Sequence, residues 1–408
     1  MNILFINHYA GAPKLGMEFR PFYLGREWSK KGHKVAILGA SYSHLRQKNP
    51  VVSEDFQFED IQGLSYYWFK TPEYTGNGLG RLLNIFTFVF KLLFNSRKIA
   101  KQFMPQVVVA SSTYPLDVIP ALLIAKFSKA KVIHEVHDLW PLTLTEIGGL
   151  SKMNPFVVLL QWAENFSYRN VDRVVSMLEA AFPYMQEHGL SEDRFVAVSN
   201  GVVEDEWISV KAMPQDLDDL CKKLRAKQHL ILGYTGYLGL ANSVGTLVDA
   251  IKFLKKENVS LVILGSGPEK EKLIEMCEAE DLKNIYFYGS IEKQQIPSFL
   301  AEVDATFIGA PKSSLYRYGV SPNKLLDYLM AGKPILYAIE AGNNWVDESK
   351  SGISVSSENA AELAQAIRDV MRMSTEERVK MGNNGREFVL RSKTYPYLAQ
   401  KFIEGIFD

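Results

Sequence analysis

The sequence predicts an α/β protein made of two doubly wound domains, each built on a mainly parallel sheet. Short apolar strands alternate with helical patterns from end to end, which is typical of βαβ units. The length agrees, because 408 residues suit two or three domains. The strand candidates also divide into two sets of similar size, so we expect two separate sheets.

The predicted strands follow one another in chain order. In the first half they are ILFIN at 3–7, KVAILGA at 34–40, QVVVAS at 106–111, KVIHEV at 131–136, RVVSM at 173–177 and FVAVSN at 195–200. In the second half they are HLILGYTG at 229–236, VSLVILGSG at 259–267, IYFYGS at 285–290, DATFIGA at 304–310, KPILYA at 333–338 and GISVS at 352–356. Ligands of such folds bind beyond the carboxyl ends of the strands, so we expect a cleft between the domains that draws on both halves.

The domain boundaries follow from where strand periodicity stops. We expect a first domain at 1–202, a linker with a short helix at 203–228, where charges replace strand periodicity, and a second domain at 229–393. A last helix, at about 394–408, has apolar residues along one face at Leu398, Phe402, Ile403 and Ile406. That face needs a partner, and the helix could return to the first domain as a strap.

Composition excludes several classes of function. The charges of the 46 basic and 46 acidic side chains cancel, so the net charge of the protein does not attract nucleic acid. Two cysteines, Cys221 and Cys277, are too few for a disulfide framework, and the seven histidines include no HExxH metal motif, so we expect no metal and a reducing cytoplasm. The apolar start lacks a preceding basic segment and predicts a strand rather than a signal peptide. The sequence contains no run of 18 uninterrupted apolar residues, so we expect no ordinary membrane-spanning helix.

The segment VSPNKLLDYLMAGKP, at 320–334, predicts a helix whose start binds an anion. Ser321 suits the N-cap and Pro322 the first turn, with Asn323 and Lys324 in the same turn. Free backbone N–H groups, the helix dipole and the lysine would together hold a diphosphate. Asp327, one turn on, could accept two hydroxyl hydrogen bonds from a ribose. An N-capped surface helix with an ordinary first-turn charge explains the same local pattern.

The segment KVIHEVHDLWP, at 131–141, ends a strand with several ionisable groups. By alternation His134 lies on one face of the strand and Glu135 with His137 on the other, so the two histidines are not a metal-binding pair. His137 and Asp138 stand where α/β sites form. The alternative is structural, with Asp138 capping the next helix and His137 donating to a backbone carbonyl.

A long helix, from Leu79 to Lys101, has two apolar stripes. Leu79, Leu83, Phe86, Phe90 and Leu93 form one, and Ile85, Phe88 and Leu92 form the other, of which only one can face the sheet. Its formal charges are all basic, and residues 1–105 carry 14 basic against 7 acidic side chains, a net of +7. Such a pattern indicates contact with an anionic membrane surface. The alternative is a helix covered on its second side by a loop at 42–78.

On these motifs the sequence resembles the family 4 retaining glycosyltransferases of GT-B fold, in particular bacterial enzymes of polysaccharide and O-antigen synthesis. Asp327 matches the second acidic position of the family helix, which is followed by a small residue, a glycine and a proline, here Ala331, Gly332 and Pro334. Asn200, Gly201 and Val202 match the family's domain hinge. The first acidic position falls on Gly319. Two cations of the family's first nucleotide loop are also missing, because Tyr237 follows Gly236 and residues 240–243 are Leu, Ala, Asn and Ser.

The resemblance implies roles for individual residues. His137, Asp138 and Lys324 would be catalytic, and Glu18 and Arg20 would bind the acceptor. The donor would be bound by Gly16, Gly236, Tyr237, Gly289, Ser290, Ile291, Arg317, Ser321, Pro322, Asn323, Lys324, Leu325 and Asp327. Within this set Asp327 takes the ribose and the loop at 289–291 the base. Lys324 and the helix start take the diphosphate, with Arg20 or Arg317 as a possible second cation.

The resemblance also implies a function. We expect retaining transfer of a sugar, an N-acetylated hexosamine or deoxyhexosamine, from a UDP-sugar to a glycan or a polyprenyl-diphosphate-linked acceptor. We expect no metal or other cofactor and no nucleic acid partner, with the protein peripheral on the inner face of the plasma membrane. Two alternatives stay open. One is a UDP-sugar epimerase of the same fold, and the other is a noncatalytic UDP-sugar-binding partner of another transferase.

Overall fold

A computed structural model describes residues 1–16, 19–76 and 78–407 of the chain. It divides into two compact units. Unit 1 comprises Met1–Asn200 together with Tyr395–Asp408, and unit 2 comprises Gly201–Thr394. Residues 203–228, predicted to be a linker, carry two helices and belong to unit 2, where Leu217, Cys221 and Leu224 enter the core.

Unit 1 contains an eight-stranded sheet. Its strands are β1 (Asn2–Ile6), β2 (Lys34–Ala40), β3 (Gln57–Ile61), β4 (Leu64–Phe69), β5 (Val107–Ala110), β6 (Lys131–Val136), β7 (Arg173–Ser176) and β8 (Phe195–Ala197). Their order is β3-β4-β2-β1-β5-β6-β7-β8, and every pair is parallel except β3 with β4. The winding direction reverses between β1 and β5, which is where doubly wound folds form their sites.

The hairpin of β3 and β4 is the part of this sheet that sequence reasoning missed. The segment at 42–78 was expected to be a loop, although Leu64–Phe69 is rich in aromatic residues. Gln62 and Gly63 make the turn, with φ of 53° and 84°. Two consecutive residues with positive φ are what a tight two-residue hairpin turn requires, and glycine meets that requirement without strain.

The helices of unit 1 lie between its strands along the chain, apart from one at the chain end. They are α1 (Arg20–Lys30), α2 (Leu79–Phe103), α3 (Val118–Ser128), α4 (Leu142–Glu146), α5 (Pro155–Asn170), α6 (Phe182–Glu187) and, at the chain end, α16 (Tyr395–Phe407). Two 3₁₀ turns, Pro115–Asp117 and Glu192–Arg194, complete the unit. The last helix packs on α1, because the Trp28 indole N–H donates to the Ala399 carbonyl at 3.0 Å and its ring meets Phe402 edge-on.

Unit 2 contains a six-stranded parallel sheet. Its strands are β9 (Leu230–Thr235), β10 (Val259–Leu264), β11 (Ile285–Tyr288), β12 (Ala305–Gly309), β13 (Ile335–Ala338) and β14 (Gly352–Ser354), in the order β11-β10-β9-β12-β13-β14. All five neighbouring pairs are parallel. The chain reverses direction between β9 and β12, so the loops that follow these two strands lie at the switch point of unit 2.

The helices of unit 2 are shorter and follow the strands in alternation. They are α7 (Asp205–Ile208), α8 (Gln215–Ala226), α9 (Val244–Lys252), α10 (Lys270–Ala279), α11 (Ile296–Glu302), α12 (Asn323–Ala331), α13 (Trp345–Ser349), α14 (Ala360–Arg372) and α15 (Thr375–Ser392). Three 3₁₀ turns lie at Leu240–Asn242, Lys293–Gln295 and Ser314–Tyr318. The 3₁₀ turn at 314–318 and α12 follow β12, the neighbour of β9 in the sheet, so they lie near the loop after β9.

Candidate active site

The switch point of unit 2 joins the start of α12 to the end of β9. Lys324, in the first turn of α12, donates to the Tyr234 hydroxyl at 2.7 Å and to Asn242 Oδ1 at 2.8 Å. Tyr328, one turn further along the helix, accepts a hydrogen bond from the Thr235 backbone N–H at 2.9 Å. These contacts hold the loop after β9 and the first turn of α12 side by side.

Lys324 is mostly enclosed and has neutral partners. Its Nζ lies 4.2 Å from the centre of the Tyr234 ring, and the carboxylates of the described residues all lie beyond ion-pair distance. Burial lowers the pKa of Lys324 to about 7. Gly236 lets the backbone pass close to this side chain, since its φ is 136° and an added Cβ would stand 2.9 Å from Lys324 Cε. An enclosed amine without a counter-ion gains strongly from a bound anion.

The loop after β9 lacks the two family cations, and its polar groups are tied to Lys324 instead. The Tyr237 carbonyl accepts from the Tyr234 hydroxyl at 2.9 Å and from Asn242 Nδ2 at 3.0 Å. The Tyr237 side chain itself is exposed. Asn242 therefore links Lys324 to the backbone of its own loop, a role that no sequence pattern predicted because the contact spans 82 residues.

The start of α12 differs by one residue from the sequence prediction. The helix begins at Asn323, Pro322 takes the cap position, and Ser321 does not cap it, so the prediction of Ser321 as N-cap is wrong. The preceding turn is fixed instead by Asn343, whose side chain pairs with the backbone N–H and carbonyl of Val320 at 2.7 and 2.9 Å. The predicted inner face of the helix is confirmed, with Leu325, Leu326, Leu329 and Met330 all buried.

Asp327 lies one turn beyond Lys324 and is half-buried. Burial raises the pKa of its carboxyl to about 6, with Lys293 acting to lower it and Glu206 to raise it. These two neighbours are themselves paired, at 2.7 Å. The Asp327 carboxyl makes no hydrogen bond with the part of the chain that the structure describes, so its oxygens can accept hydroxyl hydrogen bonds from a ligand.

The remaining donor residues lie in loops beyond the strand ends. Gly289 and Ser290 follow β11 and are exposed, with Ser290 Oγ 3.3 Å from Ser266 Oγ in the loop after β10, while Ile291 packs partly against the core. Arg317 is exposed, and its guanidinium donates to the neighbouring Tyr318 hydroxyl and lies over that ring. Gly319 has a φ of 101°, so a glutamate in this backbone conformation would be strained.

Unit 1 gathers polar groups at its own switch point. Asn7 follows β1, and its Nδ2 donates to the Ser111 carbonyl, at the end of β5, at 2.7 Å. The backbone N–H of His8 donates to Ser112 Oγ at 3.0 Å. His137 follows β6 and is buried, with Nε2 2.9 Å from Ser111 Oγ. Asn7, His8, Ser111 and Ser112 were not among the predicted site residues, although Asn7 and Ser111 end predicted strands and His8 and Ser112 directly follow them.

His137 and Asp138 have different surroundings. His137 Nε2 also lies 3.3 Å from Glu135 Oε2, so this nitrogen faces two side chains of the neighbouring strand ends. Asp138 is exposed. It does not cap the next helix, because α4 begins at Leu142 without a side-chain cap. Both residues therefore stay candidates for contact with a ligand.

Arg20 is not placed as the sequence predicted. Its side chain is 3% exposed, and its Nε donates to Glu135 Oε1 at 2.9 Å. The remaining guanidinium nitrogens donate to the backbone carbonyls of Val198, at 2.8 Å, and Ser199. A guanidinium used in this way does not reach an acceptor or a leaving group, so acceptor binding by Arg20 is wrong. Glu135, a charged residue at 0% exposure in a central strand, was the signal that an internal cation was needed.

Two further predictions concern the loop after β1 and metal binding. Gly16 has a φ of 74°, and an added Cβ would stand 2.8 Å from the Gln47 side chain. Glu18, predicted to bind the acceptor, lies outside the described residues. Within the described parts of the chain no group of three or more His, Cys, Asp or Glu side chains could hold a metal ion.

Helix α2 buries one of its two apolar stripes. Ile85, Phe88 and Leu92 face the core of unit 1, while Leu79, Leu83, Phe90 and Phe94 are exposed. We call these four residues the apolar face of α2. The segment at 42–78 does not cover it but contacts its edge, where Lys91 pairs with Asp55 and Lys98 lies over the Phe56 ring. By length and composition α2 could cross a bilayer, and 33% of its most apolar 18 residues are buried.

Two families of protein domain match the chain in tandem. Residues 16–201 match the family described as glycosyl transferase 4-like domain, and residues 218–388 match glycosyl transferases group 1. Among curated proteins, the chain is 22% identical over 402 residues to "Putative colanic acid biosynthesis glycosyl transferase WcaI" of Escherichia coli K12, with 93% of each chain covered. It is 23% identical over 314 residues to "Probable glycosyltransferase WbjE" of Pseudomonas aeruginosa, covering 75% of this chain and 76% of that one.

Solved structures share the fold. HepE of Anabaena, crystallised with UDP and glucose, superposes with a TM-score of 0.66 at 16% identity, covering 99% of this chain and 98% of that one. A second solved structure, "Trehalose-6-phosphate from E. coli bound with UDP-2-fluoro glucose", has a TM-score of 0.72 at 11% identity and covers 99% of this chain and 98% of that one. The predicted GT-B fold is confirmed. The chain therefore belongs to the glycosyltransferases, with a 4-like domain followed by a group 1 domain.

Proposed function

We propose that the protein transfers a sugar from a UDP-sugar, with retention of configuration, to a glycan or lipid-linked acceptor in bacterial surface polysaccharide synthesis. The observation that carries the donor part is Lys324, enclosed with neutral partners beside a glycine loop and one turn from the Asp327 carboxyl. An ammonium held in this way suits a diphosphate, and a carboxyl with unused acceptors suits a ribose. The UDP ligands of the solved relatives point to the same donor class.

The roles of the residues follow the chemistry of the transfer. The acceptor hydroxyl attacks the anomeric carbon on the face that the diphosphate leaves, and a diphosphate oxygen takes its proton. The sugar–diphosphate bond breaks as the new glycosidic bond forms, so no protein nucleophile is required. Lys324 and the backbone N–H groups at the start of α12 stabilise the charge that grows on the leaving group, while His137 and Asp138 contact the donor sugar. The sugar would be an N-acetylated hexosamine or deoxyhexosamine.

The acceptor's location is proposed from the surface of unit 1. The apolar face of α2 continues, at the C-terminal end of the helix, into exposed Arg97 and Lys101. On α5 nearby, Val158 and Trp162 are also exposed, and both helices pack into one core cluster beneath. Residues 79–103 contain no acidic side chain, and the single one at 155–170, Glu164, is buried. Apolar groups with cations and no exposed carboxylate suit the anionic cytoplasmic surface of a plasma membrane.

The donor assignment is tested with purified protein and a panel of UDP-sugars. A donor at 100 times its dissociation constant stabilises the folded state by about 2.7 kcal/mol, which thermal unfolding detects. The best donor is then incubated with candidate acceptors, and UDP release and product are measured. Stabilisation by UDP-sugars without release of UDP under any acceptor condition would contradict transfer. Lys324→Met should abolish the stabilisation, while Lys252→Met, in the same unit but paired with Asp249, should not.

The membrane surface is tested by cosedimentation with anionic and neutral vesicles. Cations near the surface contribute at most about 1 kcal/mol each, so Arg97→Gln with Lys101→Gln should weaken anionic binding by up to roughly thirtyfold. Lys91→Gln is the matched control, because that lysine is already paired with Asp55 at 2.8 Å. Equal binding to both vesicle types, or equal loss with the control, would remove the membrane from the proposal.

A further inference from the structure

The loop after β9 has no charged side chain of its own. Residues 236–243 are Gly, Tyr, Leu, Gly, Leu, Ala, Asn and Ser. The loop lies at the switch point of unit 2, near the start of α12, which follows the neighbouring strand β12. Lys324 of α12 brings its Nζ to 2.8 Å from Asn242 Oδ1, so the cation at this loop comes from a different element of the fold.

Four residues form a closed ring of hydrogen bonds that includes Lys324 Nζ. This nitrogen donates to the Tyr234 hydroxyl at 2.7 Å and to Asn242 Oδ1 at 2.8 Å. The Tyr234 hydroxyl and Asn242 Nδ2 both donate to the Tyr237 carbonyl, at 2.9 and 3.0 Å. Turning the Asn242 amide over would set donor against donor at Lys324 and acceptor against acceptor at Tyr237, so the ring of hydrogen bonds fixes the orientation of the amide.

The contacts of Lys324 leave one donor for a ligand. An ammonium group has three N–H donors, and the Tyr234 hydroxyl and Asn242 Oδ1 accept two of them. Among the residues that the structure describes, Lys324 has no third hydrogen-bond partner and no counter-ion. Burial, together with Tyr328, raises the pKa of Tyr234 well above its usual range, so its hydroxyl stays neutral like the Asn242 amide. Neither acceptor cancels the charge of the ammonium, whose third N–H can be donated to a phosphate oxygen.

We infer that Asn242 and Tyr234 are positioning residues for donor binding, which hold Lys324 Nζ at the loop after β9 so that α12 supplies the cation that this loop lacks. Gly236 leaves room for the lysine stem, because an added Cβ would stand 2.9 Å from Lys324 Cε. The inference rests on the proposed function for the chemistry of the ligand, a nucleoside diphosphate. The position of Nζ itself follows from contacts inside unit 2.

Two substitutions each remove one acceptor of Lys324. Asn242→Ala removes the amide, and Tyr234→Phe removes the hydroxyl but keeps the ring, whose centre lies 4.2 Å from Nζ. The matched control is Asn284→Ala, because Asn284 is also half-buried in unit 2 and its Nδ2 donates to a backbone carbonyl, that of Val259, at 2.9 Å. Asn284 directly precedes β11, whereas the site lies beyond the carboxyl ends of the strands, so the control loses a similar hydrogen bond away from the ligand.

An exchange of two residues separates positioning from a merely structural role. Lys324→Asn alone removes the cation. The exchanged pair, Lys324→Asn with Asn242→Lys, returns an ammonium group to the switch point from the loop and keeps an amide as its partner. If Asn242 only stabilises its own loop, the exchanged pair should bind the ligand no better than Lys324→Asn, because it has lost both native side chains. If Asn242 positions the cation, the exchanged pair should recover part of the lost affinity.

The measurement is isothermal titration calorimetry with UDP at neutral pH, with the melting temperature of each variant as a check on the fold. We expect the dissociation constant to rise roughly tenfold in Asn242→Ala and in Tyr234→Phe, since each removes a hydrogen bond to a charged group. It should not change in Asn284→Ala. The exchanged pair should bind UDP at least about tenfold more tightly than Lys324→Asn.

The outcomes are distinguishable. An unchanged dissociation constant in either acceptor variant overturns the inference for that residue, and an exchanged pair no tighter than Lys324→Asn overturns it as a whole. An equal loss in Asn284→Ala also overturns it, because any weakened hydrogen bond of unit 2 would then have the same effect. If Tyr234→Phe does not fold, Asn242→Ala and the exchanged pair still provide the test. UDP binding without transfer of any sugar contradicts the proposed function alone, whereas no UDP binding by the unsubstituted protein contradicts both.

Discussion

The state of Lys324 predicts that donor binding takes up a proton. In the ligand-free protein, burial lowers the pKa of this lysine to about 7, and its contacts are the neutral Tyr234 hydroxyl and Asn242 carbonyl oxygen. A diphosphate bound at Nζ favours the ammonium form and raises its pKa again. Raising the pH therefore removes the cation before the donor arrives, and the affinity for UDP-sugar should fall.

The size of the effect follows from the pKa. With a value of about 7, roughly half of the Lys324 side chains are protonated at pH 7 and about 3% at pH 8.5. If the complex holds only the ammonium form, the dissociation constant should rise by about fifteenfold between these two values, or roughly 1.6 kcal/mol. Binding at pH 8.5 should take up nearly one proton. This interval lies above the pKa of Asp327, about 6, so that carboxyl contributes little.

Isothermal titration calorimetry measures both quantities. The ligand should be a UDP-sugar, because the terminal phosphate of UDP itself titrates near pH 6. Repeating the titration in buffers of different ionisation enthalpy gives the number of protons taken up. Lys324→Arg keeps a permanent cation and should lose the pH dependence, while Asp327→Asn should retain it.

The reasoning would be refuted by an affinity that is constant from pH 7 to pH 8.5 with no proton uptake. A pH dependence that persists in Lys324→Arg would equally show that another group is responsible. A constant affinity would mean that the amine is already charged in the free protein, where its two neutral partners and the nearby solvent solvate it better than its burial suggests.

Further predictions concern the donor site and the ion pair of unit 1. Asp327→Ala should weaken UDP binding by about 1.5–3 kcal/mol, measured by calorimetry. The melting temperature should not change, because the Asp327 oxygens make no hydrogen bond within the described chain. A parallel loss of folded protein would show a structural role instead. Gly236→Ala should reduce donor binding and destabilise unit 2 in denaturant, since φ is 136° and the added Cβ meets Lys324. Arg20→Met alone should cost about 3–5 kcal/mol by leaving Glu135 charged and unpaired, and the loss should shrink as the pH falls and protonates that carboxyl; a loss independent of pH would contradict this. Turnover should persist in chelator, and restoration by Mg²⁺ after its loss would contradict the metal-free expectation.

Much of the fold was determined by local sequence. Each of the twelve predicted strands is present, because runs such as KVAILGA and VSLVILGSG are too short and too apolar to be anything but buried strands between helices. The hairpin at 57–69 was missed because β3 is the edge strand and β4 lies next to it, and their exposed and buried positions mix polar and aromatic residues. The segment at 203–228 has no strand pattern. It belongs to unit 2 because one face of α8 buries three side chains, those of Leu217, Cys221 and Leu224.

The chemistry of the site could be predicted only in part from the sequence. The segment SPNKLLD by itself placed Lys324 and Asp327 one turn apart on a helix, since spacing within a helix is a local property. What surrounds them was decided by tertiary structure: Asn242 reaches Lys324 across 82 residues, and Arg20 reaches Glu135 across 115. The family resemblance suggested Arg20 as a cation for a ligand, whereas the fold uses it to neutralise a buried carboxylate. The physical reason is that burial and charge pairing depend on which strand ends meet at a switch point, and β-sheet neighbours are set by the whole chain.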